Sequence, residues 1–149
     1  MMVSSRGRYA LRVLLDLAEH GQDGCVPMRD IAARQEISKK YMEQILPILV
    51  KNGLLESVHG AKGGYRLTRA PGDYRVGEIL RLTEGDLAPV ACLSSSAAPC
   101  SRAVECRTLS MWHRFNELTN AFFDGISLAD LLQPPEQAAQ GQSGRSAAR

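Results

Sequence analysis

Between Ser4 and His20 the apolar residues Ala10, Leu11, Val13, Leu14, Leu15, Leu17 and Ala18 fall on one broad helical stripe. Ser4 or Ser5 can cap the first turn and Gly21 can stop the last. After the loop Gln22-Asp23-Gly24-Cys25 and the pair Val26-Pro27, Met28 to Arg34 reads as a shorter helix with Ile31 and Ala32 inward. Ser38 is a good N-cap for a second helix running from Lys39 toward Asn52, with Met42, Ile45, Leu46 and Leu49 at helical spacing. Pro47 removes a backbone donor inside it and predicts a bend, and Gly53 ends it. The period then changes. Leu54 to Val58 and Tyr65 to Thr68 are strand-like runs around the glycine-rich connection His59 to Gly64, which predicts a hairpin. Two helices joined by a tight turn and followed by a hairpin spell a winged helix-turn-helix.

Further along, Val76 to Thr83 predicts a helix with Val76, Ile79 and Leu80 inward. The stretch from Glu84 to Val104 holds three cysteines and little that folds alone, the mark of a functional or disordered loop. A longer helix is predicted from Glu105 to Phe123, with Leu109, Trp112, Phe115, Leu118, Ala121 and Phe122 as its apolar positions. Ser127 to Leu132 reads as a capped terminal turn, and Gln133 to Arg149, without apolar periodicity, as a disordered tail. The expected organisation is mainly α with a small β-hairpin: a winged helix-turn-helix DNA-binding domain over 1–83, a cysteine loop over 84–104, a long helix and terminal turn over 105–132, and a tail over 133–149.

Composition narrows the class. The 149 residues are 44% apolar and 23% charged, which suits one soluble domain with an appendage. Aromatics make up 5%, too few for a base-stacking RNA platform. No apolar run approaches the roughly 18–20 residues that span a bilayer, and nothing at the N-terminus resembles a secretory signal, so a cytoplasmic protein without a membrane partner is expected. The net charge of +2 argues against a nucleic-acid partner only until its distribution is counted. Residues 1–75 hold 12 basic and 8 acidic side chains, a surplus of +4, whereas residues 76–132 hold 4 basic and 7 acidic, a deficit of −3. The winged half can therefore meet phosphate while the next segment does something else.

The second helix of the pair is the candidate recognition helix, because helix-turn-helix proteins put the N-terminal end of that helix into the major groove. That end offers Ser38, Lys39, Lys40, Tyr41, Glu43 and Gln44 opposite the apolar stripe. Gln can pair with adenine and Glu can accept from cytosine, while lysines reach phosphates and make affinity salt-dependent. The hairpin tip carries His59 and Lys62 among glycines, as suits a wing over the adjacent groove. The competing reading is a solvated helix and hairpin in a protein-binding module.

Cys92, Cys100 and Cys106 form C-x7-C-x5-C, with Cys25 far upstream. A disulfide framework is not expected in a chain with no export signal, and the spacing matches neither a zinc ribbon nor a bacterial ferredoxin. Three nearby thiols in a polar loop suggest metal ligation or redox chemistry, beside the plain alternative of three reduced, uncoordinated thiols. Soft thiolates favour iron–sulfur or zinc, and a fourth ligand is needed. Cys25, beside Val26 and Pro27, reads as a small buried apolar residue.

The stretches Ser5-Arg6-Gly7-Arg8-Tyr9-Ala10-Leu11-Arg12, Tyr41-Met42-Glu43-Gln44-Ile45, and Lys51-Asn52-Gly53-Leu54-Leu55 followed by His59-Gly60-Ala61-Lys62-Gly63-Gly64-Tyr65 resemble the Rrf-two (IscR-like) family of bacterial winged-helix regulators. The resemblance runs from about Met1 to Leu132. It implies a homodimer built on the long helix, a palindromic double-stranded DNA operator, and a 2Fe–2S or 4Fe–4S cluster on the loop positions matched by Cys92, Cys100 and Cys106. It also implies that Ser38, Lys40, Tyr41, Glu43 and Gln44 face the DNA, with Ser57, His59 and Gly60 on the wing. Many relatives carry Arg where this chain has His59, a departure that softens minor-groove contact. The fourth ligand departs too. One branch places a His three residues after the last cysteine, where this chain has Leu109, and another an acidic residue near the start of the first helix, where it has Arg8. Glu105, His113 and His20 are the substitutes on offer.

The expected function is sequence-specific transcription regulation, by repression, under iron–sulfur or redox control. The nearest rival is a cluster-free regulator governed by thiol oxidation or by a partner protein of cysteine metabolism. A rival of another class is an iron–sulfur or zinc electron carrier or assembly protein. An enzyme is not expected: His20, His59 and His113 lie in separate segments, and the glycine-rich run at Gly60 precedes a strand, so it is no phosphate cradle.

Overall fold

A computed structural model describes residues 2–134. Helix α1 spans Ser5–His20 and starts where Ser4 accepts from the backbone N–H of Gly7. Its residues Ala10, Val13, Leu14 and Leu17 are buried, the stripe the periodicity predicts. Helix α2 (Met28–Gln35) and helix α3 (Lys39–Lys51) follow, α3 capped by Ser38, whose hydroxyl accepts from Tyr41 N–H. α3 runs unbroken through the exposed Pro47. Between α2 and α3 the chain turns at Glu36, a non-glycine residue with φ 52°. Its N–H reaches back to carbonyls of α2 and so closes that helix.

Strands β1 (Leu55–Val58) and β2 (Gly64–Leu67) form an antiparallel hairpin with Leu55 opposite Leu67 and Val58 opposite Gly64. A bridge between Val26 and Tyr65 ties β2 to the segment before α2, so the wing is anchored to the helix pair on its inner edge. Helix α4 (Val76–Glu84) lies against α1. A cysteine-bearing segment with short 3-10 turns at Ala91–Leu93 and Ala103–Glu105 leads to α5 (Leu109–Asp124) and the short α6 (Leu128–Leu131). A bridge between Arg75 and Ser127 returns α6 to the start of α4.

One core joins α1, α2, α3, the hairpin, Ile79 of α4 and Leu128 of α6. Each large apolar side chain removed from water there contributes roughly 1.5–3 kcal/mol. Tyr74 is fully buried, and its hydroxyl donates to the Leu54 carbonyl (2.8 Å) and accepts from Thr68 N–H (2.9 Å), which pins the wing to the chain entering α4. Asp16, also fully buried, accepts two bonds from the Arg34 guanidinium (2.9 and 2.7 Å) and one from Gln35 (3.0 Å). These contacts lock α1 to α2.

Three sequence expectations change. The long helix begins at Leu109 rather than Glu105, because residues 103–105 take a 3-10 turn and Thr108 offers no side-chain cap. Cys25 is half-buried and free rather than fully enclosed. The cysteine segment is not featureless: Asp86 organises it by accepting from Ala88 N–H (2.8 Å), Ser95 N–H (2.7 Å) and the Ser94 hydroxyl (2.8 Å). The tail expected over 133–149 lies, from residue 135 on, outside the described residues. Among the described residues no helix is long and apolar enough to cross a membrane.

Candidate nucleic-acid interface and cysteine segment

The apolar side of α3 (Met42, Ile45, Leu46, Leu49) is buried, which forces the opposite side outward. Ser38, Lys39, Lys40, Tyr41, Glu43 and Gln44 are all exposed there, on the first turns of the helix. Lys39 and Glu43 form an i, i+4 ion pair at 3.6 Å, so the carboxylate sits beside a cation rather than opposing phosphate alone. The helix N-terminus adds partial positive charge at the same end.

Tyr41 is braced from behind. Its ring meets Tyr9 of α1 edge to face at 5.2 Å, and the Arg12 guanidinium lies 5.4 Å from the centre of the Tyr9 ring. Arg12 in turn donates to the side chain (3.2 Å) and the backbone carbonyl of Gln35, the residue that also holds Asp16. A continuous polar and aromatic path thus runs from the buried Asp16 to an exposed ring on α3. Tyr9 and Arg12 lie in a stretch whose resemblance to relatives is visible, but only the fold shows what they support.

On the wing, Ser57 is half-buried on β1, and His59, Gly60 and Lys62 are exposed at the tip. Gly60 has φ 115°, a conformation that favours glycine and lets the tip turn tightly. Glu56 and Arg66 face each other across the hairpin, with Nε 2.8 Å from the carboxylate, so the strands carry a paired charge and the tip carries the exposed basic group of Lys62.

Cys92, Cys100 and Cys106 are free and exposed on the segment between α4 and α5. The Thr108 hydroxyl and backbone N–H hold the Cys106 thiol below the usual thiol range, helped by Leu109 N–H and the Arg102 charge. Among the described residues no three His, Cys, Asp or Glu side chains are gathered as a metal site. The donor chemistry does suit an iron–sulfur cluster, since three soft thiols sit on one exposed segment.

Helix α5 differs from the others in that every residue keeps part of its surface open. Met111, Phe115, Leu118 and Phe122 are 53%, 45%, 60% and 58% exposed. Their spacing of four, three and four residues is that of a coiled-coil seam. The periodic set predicted for this helix divides accordingly: Leu109 and Trp112 are half-buried, and Phe115, Leu118 and Phe122 face outward.

A helix pair with an exposed polar recognition end, a basic wing and a separate exposed cysteine segment define a winged-helix transcription regulator. The chain belongs to the Rrf2 family, described as an iron-dependent transcriptional regulator, which it matches over residues 3–134. It is 38% identical over 133 residues to the HTH-type transcriptional regulator IscR of Photobacterium profundum, covering 89% of this chain and 76% of the relative. Its fold is similar to that of CymR, the global cysteine regulator of B. subtilis, with a TM-score of 0.71 at 31% identity, covering 89% of this chain and 96% of that one. It is also similar to IscR of T. potens, with a TM-score of 0.68 at 32% identity, covering 100% and 94%. The protein is a DNA-binding transcription regulator and not an enzyme, and these relatives lend nothing to the electron-carrier reading.

Proposed function

We propose that the chain acts in the cytoplasm as a homodimeric repressor on a palindromic operator. In each half-site Ser38, Lys39, Lys40, Tyr41, Glu43 and Gln44 enter the major groove, and Ser57, His59, Gly60 and Lys62 lie over the flanking backbone. Cys92, Cys100 and Cys106 hold an iron–sulfur cluster. Within each subunit, residues 1–83 read DNA, 84–104 sense and 105–132 dimerise. The observation that carries this reading is the pairing, in one chain, of an exposed polar start of α3 with an exposed three-thiol segment that leads directly into an open apolar helix.

The chain's own residues divide the work. Gln44 and Glu43 present an amide and a carboxylate to base edges, and Lys40 and Lys62 meet phosphates. Asp86 holds the entry of the cysteine segment in one shape through its bonds to Ala88, Ser94 and Ser95. A bound cluster supplies iron–thiolate bonds that respond to iron supply and oxidants.

Operators are obtained by selecting duplexes that bind the purified chain, starting from DNA beside its own gene. Changing Tyr41 and Gln44 together to Ala is expected to weaken the selected operator about tenfold to a hundredfold; unchanged affinity overturns the assignment of α3. Anaerobic purification and reconstitution, followed by visible absorption and iron and sulfide assays, tests the cluster. A colourless protein without stoichiometric iron overturns the cluster and leaves DNA binding standing.

A second reading is favoured by the exposure of all three thiols: two of them close a disulfide, surrendering two electrons and two protons to a peroxide-class oxidant. Changing all three cysteines to Ala abolishes the response in either case, and the iron assay separates the two.

A further inference from the structure

Because α5 buries no complete side chain, something other than a deep core must hold it at a defined angle. Its apolar support is shallow: Phe123, with Ile126 just beyond the helix, lies against Val76, Leu80 and Leu87, and Leu109 and Trp112 near its start are only half-buried. Apolar contact of that size is non-directional and resists sliding poorly. The directional contact is polar. Arg81 of α4 donates from Nη1 to Asn120 Oδ1 (2.9 Å) and from Nη2 to Asp124 Oδ1. Those acceptors stand one helical turn apart on α5, so the planar guanidinium fork grips the helix at two points. Asn120 is itself oriented by donating to the Asn116 carbonyl (2.8 Å). Gly77, one turn before Arg81, completes the seat: a Cβ there would fall on Asp124 Oδ1 and lie 3.1 Å from Arg81 Nη1.

We propose that the Arg81–Asn120–Asp124 clamp, seated on Gly77, sets the angle of α5 against the winged domain and thereby selects the separation of the two operator half-sites. The proposal rests on the homodimer reading above. α5 then carries the seam Met111, Phe115, Leu118, Phe122 on one side and the clamp on another, so it is the lever between the two-fold axis and each recognition helix. The leverage is large. A helix of 16 residues is about 24 Å long, and a tilt of roughly 8° moves its far end by about 3.4 Å, the rise of one base pair. Arg81 and Asp124 are 40% and 44% exposed at the side chain, a setting in which an ion pair adds little to folding. The contact is therefore a positioning device, and its loss leaves the fold intact.

The test measures affinity of the full-length chain for duplexes that share two identical selected half-sites and differ in the spacer between them by one or two base pairs. The wild type is expected to prefer one spacing, losing about tenfold for each base pair added or removed. Arg81→Ala flattens this profile to about threefold or less, and Gly77→Ala moves its optimum by about one base pair. Affinity for a single half-site and thermal melting stay near wild type in both, and Gly77→Ala, which lowers backbone freedom within a helix, guards against a misfolded Arg81 variant. A wild-type profile in both variants, with dimeric mass by light scattering, overturns the clamp. A monomeric wild-type chain overturns the homodimer reading and the clamp with it.

Discussion

Glu36 occupies a left-handed conformation, φ 52° and ψ 41°, that an L-side chain adopts at a cost, yet the chain needs it to end α2 and start the turn into α3. Glu36→Gly is expected to stabilise the protein by about 1 kcal/mol, raising the melting temperature by about 2–4 °C in calorimetry. Asp16 stands at the other extreme. Burial pushes its carboxyl up, but hydrogen bonds from Arg34 and Gln35, with the charges of Arg34 and His20, outweigh burial and hold it below the ordinary carboxylate value. Its contribution to stability is therefore full above about pH 5, where an unfolded aspartate is ionised, and is lost as pH falls through the lower folded value. Asp16→Ala leaves Arg34 without its partner and is expected to cost about 3 kcal/mol in urea unfolding at pH 7, with the acid-side slope of the wild type reduced. Neither role was legible beforehand. A glutamate between two helices and an aspartate on a helix carry no sign of backbone angle or of a partner 18 residues away.

At the scale of elements, the helix starts were legible because a hydroxyl before an apolar-periodic run satisfies orphan N–H groups locally, as Ser4, Ser38 and Ser127 all do. The start of α5 was not: Thr108 follows a 3-10 turn rather than capping the helix, and periodicity alone carried the prediction four residues too far. The segment after α4 looked shapeless because its order comes from one carboxylate gathering scattered donors. Ser95 N–H, the Ser94 hydroxyl, Ala88 N–H and the Ser95 hydroxyl bring Asp86 down to about 2. That tie is complete above about pH 4 and loosens as pH falls through about 2. Asp86→Asn weakens it at neutral pH. Hydrogen exchange at the Ala88 and Ser95 amides is expected to rise at least tenfold in the variant, while amides of α1 and α3 keep their protection.

For the whole molecule, the dominant feature is an apolar stripe that one chain leaves open. Phe115→Glu with Leu118→Glu places charges on the seam and not in the core, so the expected outcome is a folded monomer with helical circular dichroism retained and halved mass in light scattering. Retained dimers would show that the seam is not the subunit contact. Such a monomer also loses most operator affinity, because two half-sites bound together gain from effective concentration and one does not.

The sequence by itself determined the elements and the class. Apolar periods of 3.6 and 2, serine caps, glycine stops and three spaced cysteines are local signals, and the surplus of positive charge in the first 75 residues follows from counting. It also determined the outward face of α3, since burying Met42, Ile45, Leu46 and Leu49 leaves Tyr41 and Gln44 no other side. What only the tertiary structure decided are pairings between distant positions: Arg34 with Asp16, Tyr9 behind Tyr41, Tyr74 under the wing, and Arg81 on Asp124 across 43 residues. The physical reason is that a hydrogen bond or aromatic contact depends on where two side chains arrive in space. Sequence separation carries no trace of that until the core has placed both.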